Sequence, residues 1–334
     1  MRTIILSYDY EIFFGDKSGT IEKTLIVPTN FLLNKMDELE IKGNFFIDYL
    51  MLKYLRKVDT ERTNRDIQLI ETQIKDIVRR GHRIELHLHP HWIDAQYNGD
   101  GTWNFQNYTH YALSSLGESV VINMFKEGTA YLNNLAQEVE PGYTICAFRA
   151  GGWAIQPFHK IKKGFLEANI KIDSSISYGA YGKNQYSYFD FLDAPNKVMY
   201  RFEDDVCNEV ADGRFCEIPI SSFHRTIFYR IIDKVHRILS KRLSPIADGS
   251  HRRQDLKYVK RKNNIAMMTL SKISPISVIL SSLLSKKEML VFIDHPKDFT
   301  FSSLCSIRFL SYFFNTTTYY NECQSVSYTH LTLP

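Results

Sequence analysis

Residues 66–91 have the sequence DIQLIETQIKDIVRRGHRIELHLHPH. Isoleucines at positions 67, 70, 74 and 77 recur at the spacing of one helix face, so residues 66–80 predict an amphipathic helix. Gly81 is suited to end this helix, because glycine readily adopts the left-handed conformation found at helix C termini. The apolar residues between Arg83 and His89 then predict a strand. The stretch is therefore one helix–strand unit of an α/β protein.

The same alternation of strands and helices runs along the rest of the chain. Residues 3–8 predict a strand buried on both faces, residues 29–40 a helix, and residues 45–47 a second strand. Another helix is predicted over residues 120–135. Strands that alternate with helices pair in parallel, and about seven of them form a barrel or a doubly wound sheet. The remaining predicted strands are residues 143–148, 170–172, 215–220 and 289–293.

Residues with chemically active side chains follow the predicted strands. They lie at or just after the C-terminal strand ends, which is the edge where α/β barrels build their active sites. We therefore expect five side chains to converge on one site: Asp9, His87, Arg149, Asp173 and His295.

The third predicted strand carries three histidines at alternate positions. If the chain stays extended through Pro90, then His87, His89 and His91 share one face with Glu85. Neutral imidazoles that converge on one point are suited to a borderline divalent metal such as zinc. The sequence therefore predicts a metal site at this edge.

Residues 81–91, GHRIELHLHPH, also resemble a family motif. The motif is the second one of the polysaccharide deacetylases, the NodB-homology proteins of carbohydrate esterase family 4. In that motif a Gly-His-x-Ile lead precedes His-x-x-x-His. The resemblance implies that His87 and His91 are metal ligands and that His89 is their neighbour.

The first family motif, a strand that ends in two aspartates, is met only in part by residues 6–11, LSYDYE. Asp9 matches the catalytic base of the family. Tyr10 replaces the second aspartate, which is the third metal ligand in the family. Glu11 could supply the missing carboxylate as an Asp-x-Glu variant of the motif.

Three further motifs resemble the family in the same order along the chain. Arg149 matches the arginine that orients the base, although Gly151 and Gly152 replace the usual proline-containing loop. Asp173 and His295 match an aspartate and a general acid that the family pairs with each other. A histidine suits proton transfer because its pKa lies near neutrality.

The resemblance implies a fold and a reaction. The fold is a distorted (β/α)7-type barrel, here with a basic helical insertion. The reaction is the metal-dependent removal of an N-acetyl or other acyl group from an amino-sugar glycan or a lipid-linked or nucleotide-linked precursor. Asp9 is then the base, His295 the acid, and Arg149 and Asp173 assist them.

All three tryptophans follow predicted strand ends. Aromatic faces bury the apolar side of a sugar ring while its hydroxyl groups stay hydrated. We therefore expect Trp92, Trp103 and Trp153 to contact a glycan substrate.

The positive charge of the chain is concentrated in one region. The whole chain has a net charge of +4, whereas residues 225–287 carry fifteen Lys and Arg against three Asp. This region predicts a solvated insertion of basic helices, or one that rests against anionic lipid head groups. No recognition motif accompanies the charge, so a nucleic-acid partner is not expected.

The two ends of the chain bear on localisation and domain boundaries. Residues 1–9 contain no signal-peptide core, so we expect a cytoplasmic protein, peripheral at the inner membrane face if the basic region binds lipid. Residues 325–334 have no periodicity and resemble translated cloning sequence, which predicts a non-native tail. Residues 1–324 are then a single barrel domain.

Two other functions remain open on the sequence. The first is another metal-dependent amidohydrolase that uses His87 and His89 as a His-x-His pair. The second is a catalytically silent glycan-binding protein of the same fold, which the Tyr10 replacement leaves possible.

Overall fold

The computed structural model describes residues 2–239, 246–252, 259–262, 264–271 and 273–328. The strands of this part are β1 (Thr3–Tyr10), β2 (Asn44–Asp48), β3 (Arg83–Leu88), β4 (Gln96–Tyr97), β5 (Trp103–Asn104), β6 (Ala147–Ala150), β7 (Ile172–Asp173), β8 (Ala180–Lys183), β9 (Tyr188–Asp190), β10 (Tyr200–Phe202), β11 (Phe215–Glu217), β12 (Ser222–His224), β13 (Val259–Arg261), β14 (Ile265–Met267), β15 (Met289–Asp294) and β16 (Asn315–Thr316). Its helices are α1 (Val27–Glu38), α2 (Tyr49–Val58), α3 (Glu61–Arg79), α4 (Glu118–Gln137), α5 (Lys162–Glu167), α6 (Ile227–Leu239), α7 (Pro275–Leu284), α8 (Phe301–Phe313) and α9 (Tyr319–Tyr328).

Seven strands pair in parallel in the order β11-β7-β6-β3-β2-β1-β15. They correspond to the seven predicted strands, although β6 begins four residues later than predicted. Their order in the sheet follows the chain, and the last strand lies beside the first, as in a (β/α) barrel. β10 adds an antiparallel edge next to β11, and β16 pairs with the start of β1. The predicted distorted (β/α)7-type barrel is confirmed.

The distortion lies between β11 and β15, which have no strand pairing in the described residues. The chain that follows β11 bridges this gap. The N–H group of Ser221 donates to the carbonyl oxygen of Val291 at 3.0 Å, and the N–H group of Val291 donates to Ser221 Oγ at 2.9 Å. The barrel is therefore closed by an irregular segment.

The predicted helix of residues 66–80 corresponds to the last 14 of the 19 residues of α3. The helix begins earlier, because Thr60 and Thr63 form a capping box that the apolar periodicity alone does not show. Its isoleucines 67, 70, 74 and 77 are buried against the sheet. Gly81 has a φ of +76°, as expected for a residue that ends a helix.

The described residues of the predicted insertion, 225–287, form two helices and two short strands. α6 carries Arg230, Lys234 and Arg237, whereas α7 carries no charged residue, so only one of the two helices is basic. β13 pairs with β8 and β14 pairs with β12. Residues 240–245, 253–258, 263 and 272 of this region lie outside the described part. The domain boundaries stay a prediction.

The end of the chain differs from the predicted tail in one respect. Helix α9 continues to Tyr328, so the first four of the residues set aside as non-native are helical. Residues 329–334 lie outside the described part. None of the described helices is both long and apolar enough to cross a membrane.

Candidate metal and catalytic site

The end of β1 supplies two carboxylates to the barrel interior. Side chains alternate along a strand, so Asp9 and Glu11 share one face and Tyr10 lies on the other. On that other face, the Tyr10 hydroxyl donates to Oε1 of Gln73 on α3 at 2.7 Å. The residue that replaces the family's aspartate therefore points away from the site, and Glu11 brings its carboxylate into it.

The end of β3 supplies two histidines rather than three. β3 ends at Leu88, and a 3-10 helix begins at Pro90 (Pro90–Asp94). His87 and His89 therefore stay on the interior face, while His91 turns away with the helix. The expected common face for all three histidines fails because the chain does not stay extended beyond Pro90.

Glu11 joins the two histidines. Its Oε2 lies 3.1 Å from Nε2 of His87 and 2.6 Å from Nε2 of His89. The possible ligand atoms of these three buried residues all lie within 4.8 Å of one another. Two imidazole nitrogens and a carboxylate oxygen are a ligand set that suits zinc, with positions left for water or substrate. The described residues thus contain a candidate site for a divalent metal.

The hydrogen bonding of His87 fits this interpretation. Its Nδ1 lies 2.6 Å from the carbonyl oxygen of Arg149, which can only accept. Nδ1 must therefore carry a proton, and in a neutral ring the lone pair of Nε2 faces the Glu11 oxygen. A cation between the two atoms would then be held by both; without one, the ring is an imidazolium that donates to Glu11, because burial lowers the pKa of His87 but Asp9 and Glu11 raise it by more. A backbone carbonyl that fixes a histidine in this way is typical of metal-binding histidines.

The Lys297 ammonium group lies on the other side of Glu11. Lys297 Nζ is 2.6 Å from Glu11 Oε1 and donates to the carbonyl oxygen of Ile12 at 2.8 Å. Burial raises the pKa of Glu11, but Lys297 and His89 outweigh it and hold that pKa well below its usual value. Glu11 is therefore ionised. Its Oε1 contacts the ammonium group of Lys297, and its Oε2 contacts the rings of His87 and His89.

Asp9 is held by Arg149 in the middle of the barrel. Arg149 Nη1 donates to Asp9 Oδ1 at 2.6 Å, and Nη2 donates to Ser7 Oγ at 2.8 Å. The guanidinium also donates through Nε to the carbonyl oxygen of Ser174 at 2.8 Å. Burial raises the pKa of Asp9, but Arg149, His87 and His295 together lower it by more, so the pKa is below its usual value. Asp9 is a fixed carboxylate whose second oxygen is available to a reactant.

His295 lies opposite this second oxygen. Its Nε2 is 3.6 Å from Asp9 Oδ2 and 3.5 Å from Glu11 Oε1. Burial, together with the Lys297 charge, lowers the pKa of His295 to about 4. The nearest carboxylate to its other nitrogen, Nδ1, is Asp298 at 3.6 Å.

The structure does not bring Asp173 to His295. The Asp173 carboxylate accepts from the hydroxyl group of Ser175 at 2.8 Å, and it shares a hydrogen bond with Glu217. Burial and the neighbouring Asp173 raise the pKa of Glu217 well above its usual value. The predicted Asp–His pair is thus replaced by a buried pair of carboxyl groups. Asp298 lies 3.6 Å from Nδ1 of His295, and it shares a hydrogen bond with Nε2 of His251 at 2.6 Å.

Two glycines shape the wall next to the histidines. A Cβ atom at Gly151 would lie 2.6 Å from Nδ1 of His89 and 2.7 Å from the carbonyl oxygen of Leu88. Gly152 has a φ of +56°, and a Cβ atom there would collide with Tyr111. Of the glycine pair that replaces the family's loop, Gly151 therefore makes room for the His89 ring and Gly152 for Tyr111.

His91 lies in an aromatic pocket behind the site. Its ring stacks on Tyr111 at 5.2 Å and on Tyr108 at 5.8 Å, with the edge of Phe14 at 4.5 Å. Neither ring nitrogen has a hydrogen-bond partner in the described residues. Burial lowers its pKa well below the usual value, so the ring is neutral.

A cavity of about 300 Å³ opens above the metal candidate. Asp9, Glu11, His89, His295 and Lys297 form its floor. Its walls are mainly aromatic, with an amide and two basic side chains from the insertion: Phe14, Tyr108, Tyr111, Trp153, Tyr186, Phe189, Asn184, His251 and Arg252.

One of the three predicted substrate-binding tryptophans lines this cavity. Trp153 does so, and its ring meets that of Phe189 edge to face at 5.7 Å. Trp92 is fully buried and Trp103 is 5% exposed, and the two rings pack against each other at 4.9 Å. Trp92 and Trp103 are core residues because the 3-10 helix and the β4–β5 hairpin fold back on the barrel.

Two functional residues were not predicted from the sequence. Asp48, at the end of β2, accepts from the indole N–H of Trp92 at 2.6 Å and from the backbone N–H of His89 at 3.4 Å, so it positions the histidine turn. Its place at a strand end was a usable signal. Lys297 had no such signal, because lysines are seldom buried and only the fold shows that this one is.

No protein-family model matches the chain, and no curated protein sequence matches it. Solved structures do. A 4-alpha-glucanotransferase from Thermococcus litoralis matches with 13% identity and a TM-score of 0.52, over 97% of this chain and 40% of that protein. This likeness shows the fold, and this chain spans less than half of that protein.

Deacetylases and esterases also occur among the matching structures. A protein from Mycobacterium smegmatis assigned as a polysaccharide deacetylase matches with 13% identity and a TM-score of 0.49, over 99% of this chain and 92% of that one. A family 4 carbohydrate esterase from Streptomyces lividans in complex with acetate matches with 9% identity and a TM-score of 0.39, over 93% of this chain and 86% of that one.

Proposed function

We propose that this chain is a metal-dependent hydrolase that removes acyl groups from an amino-sugar glycan or glycan precursor. The observation that carries the proposal is the contact of Glu11 with both His87 and His89, beside an Asp9 carboxylate fixed by Arg149. A metal-ligand set next to a base and an acid is one arrangement that hydrolyses amides.

Glu11, His87 and His89 would hold the ion, most suitably zinc. When bound, zinc lowers the pKa of a water molecule toward about 7 and polarises the acyl oxygen. Lys297 neutralises the Glu11 oxygen that faces away from the histidines. His89 replaces His91 in the ligand set implied by the family motif.

Asp9 acts as the general base. Arg149 occupies Oδ1 of Asp9, which leaves Oδ2 to accept the proton of the attacking water. With a pKa of about 4, the His295 ring is neutral at neutral pH. It lies 3.6 Å from Oδ2, so it takes up the proton from Asp9 and passes it to the leaving amine nitrogen. The products are a carboxylic acid and a free amine.

The cavity favours a sugar substrate. Trp153 and the tyrosines of its walls offer flat faces for a sugar ring, and Asn184 offers both a donor and an acceptor to hydroxyl groups. A lipid-linked or nucleotide-linked amino sugar would place its anionic group near Arg252, which also lines the cavity. We extend the proposal to such precursors.

Acetate release from N-acetylated amino-sugar oligosaccharides, measured with and without added zinc, tests the function. We expect zinc-dependent release that Asp9→Asn and His295→Ala each reduce by about 100-fold or more, while both variants still bind zinc. Full activity in either variant would falsify the roles given to these residues. A wild-type protein that takes up no divalent metal would instead support a silent glycan-binding protein.

A second candidate is a metal-dependent amidohydrolase that acts on amides other than sugars. The observation in its favour is that His89, the second member of a His-x-His pair, contacts Glu11 and His91 does not. Parallel assays on small cyclic and linear amides distinguish the two. Turnover of these amides without turnover of amino sugars would favour the second candidate.

A further inference from the structure

Helix α6 has an apolar face that the rest of the described protein does not cover. Six large apolar side chains recur along one face at helical spacing. Ile227 is 77% exposed, Ile238 59% and Leu239 72%. Scattered exposed apolar residues are normal, but a contiguous stripe marks an interaction surface. The stripe consists of Ile227, Phe228, Ile231, Val235, Ile238 and Leu239.

The opposite face of α6 anchors it to the protein. Tyr229 and Asp233 are buried there. Asp233 accepts from the backbone N–H of Ser274 at 3.0 Å and from Ser277 Oγ at 2.7 Å, and it pairs with Arg225. Asp233 is the single acidic residue of the helix. The outer surface of α6 therefore carries no carboxylate.

A basic stripe adjoins the apolar one. Arg230, Lys234 and Arg237 are separated by four and three residues, so they follow one line along the exposed side of α6. Among the described residues no carboxylate pairs with these three side chains, since Asp233 pairs with Arg225 and Arg230 donates a hydrogen bond to the neutral side chain of Asn264. Their charges remain available to an anionic partner.

Helix α7 extends the apolar surface. A groove of about 370 Å³ runs between the two helices, with Ile231, Val235 and Leu239 on one side and Pro275 and Ile276 on the other. Ile276 is 54% exposed, and Leu284 at the end of α7 is 72% exposed. The two helices thus form one surface, here called the α6–α7 face.

We propose that the α6–α7 face docks on an anionic lipid bilayer, with α6 in the plane of the interface. A short helix with an apolar face and flanking Lys and Arg inserts its apolar side among acyl chains and sets its charges at the head groups. A helix of 13 residues is about 20 Å long, too short to cross the bilayer.

The positive charge of the region favours an anionic bilayer, and not a second copy of the chain, as the partner of the α6–α7 face. Residues 225–287 carry fifteen Lys and Arg against three Asp. In a symmetric dimer the same face meets itself, so each basic face would meet another basic face with no outward carboxylate of α6 to compensate it. A bilayer with acidic head groups supplies both the apolar layer and the opposite charge.

Sedimentation with lipid vesicles tests the proposal independently of any activity. The full chain is mixed with vesicles of phosphatidylcholine alone or with added phosphatidylglycerol, at low and at high salt. We expect binding to the anionic vesicles at low salt, weakened by high salt. Arg230→Gln with Lys234→Gln should weaken it by roughly one order of magnitude or more, since each basic side chain near the surface contributes about 1 kcal/mol.

The apolar contribution is tested by Ile231→Asp with Ile238→Asp, which should abolish binding. Phe31→Asp is the matched control, because Phe31 is a 49% exposed apolar residue of α1 outside this face, and it should bind like the wild type. Circular dichroism shows whether each variant is folded. Three outcomes overturn the proposal: no binding of the wild type to anionic vesicles at low salt, unchanged binding of the folded aspartate double variant, or a wild-type dimer in solution that this double variant makes monomeric.

Discussion

His89 Nε2 lies 2.6 Å from Glu11 Oε2, whereas His91, two residues further on, has both ring nitrogens without a partner in the described residues. The two histidines differ because the chain turns at Pro90. One faces the barrel interior and the other packs among aromatic rings. This difference determines which side chains can hold a metal, and it can be tested directly.

Metal binding should depend on His87 and His89 and not on His91. We expect His87→Ala and His89→Ala to lower zinc affinity by more than the 10–100-fold that is typical for residues that only support a ligand. His91→Phe, which fits an aromatic pocket, should bind zinc like the wild type. Isothermal titration with zinc on the metal-free proteins measures this. Zinc loss in His91→Phe with retention in His89→Ala would favour the ligand set of the family motif.

The Asp9–Arg149 ion pair should be essential for stability. Both partners are buried, so Arg149→Met leaves the Asp9 charge without compensation, at a cost of about 3–5 kcal/mol. Urea denaturation followed by circular dichroism measures the loss. Lys163→Met is the control, because its pair with Glu118 is exposed on both sides and should leave the urea midpoint nearly unchanged. A small effect of Arg149→Met would mean that Asp9 is not ionised in the folded protein.

The buried pair of Asp173 and Glu217 should make stability fall as pH rises. Burial raises the pKa of Glu217, so the folded protein keeps a proton that the unfolded chain loses above about pH 4.3. The stabilisation is therefore complete below that pH and is lost as the pH rises through the folded-state pKa. Glu217→Gln should raise the urea midpoint at neutral and alkaline pH and have little effect near pH 4.

Glu203→Gln is the control, because the pKa of Glu203 is shifted in the opposite direction and the urea midpoint should change in the opposite direction. Arg214 and Lys162 lower the pKa of Glu203 to about 2, so its stabilisation is present at neutral pH and lost as the pH falls through that value. This substitution should lower the urea midpoint at neutral pH. If both glutamine variants shifted the midpoint in the same direction, the assignment for Glu217 would be wrong.

Substitution of Trp153 should affect substrate binding, whereas substitution of Trp92 should affect stability. Trp153→Ala should raise KM for an oligosaccharide substrate with little change in stability, because the ring lines the cavity and is only partly buried. Trp92→Ala should cost about 3–5 kcal/mol of stability, since it empties a fully buried site. Steady-state kinetics and thermal denaturation, measured on both variants, distinguish the two effects. A normal KM in Trp153→Ala would remove it from the substrate site.

The sequence by itself determined the framework. The seven parallel strands were predictable from short apolar runs that lie between segments of helical periodicity. Such runs are too short for helices and are typical of buried strands. The placement of Asp9, His87, Arg149 and His295 at one edge followed from parallel pairing, which brings the C-terminal strand ends together. The period of two along β1 would also have placed Glu11 beside Asp9 and turned Tyr10 away.

The tertiary structure decided which residues meet across the barrel. Pro90 could only indicate that a strand ends, and the direction of the turn, which keeps His89 and removes His91, depends on packing against Asp48 and Gly151. The burial of Lys297, the pairing of Asp173 with Glu217, and the core positions of Trp92 and Trp103 have the same origin. These contacts join residues that are far apart in sequence. The periodicity of a local segment does not show which distant segment it will contact.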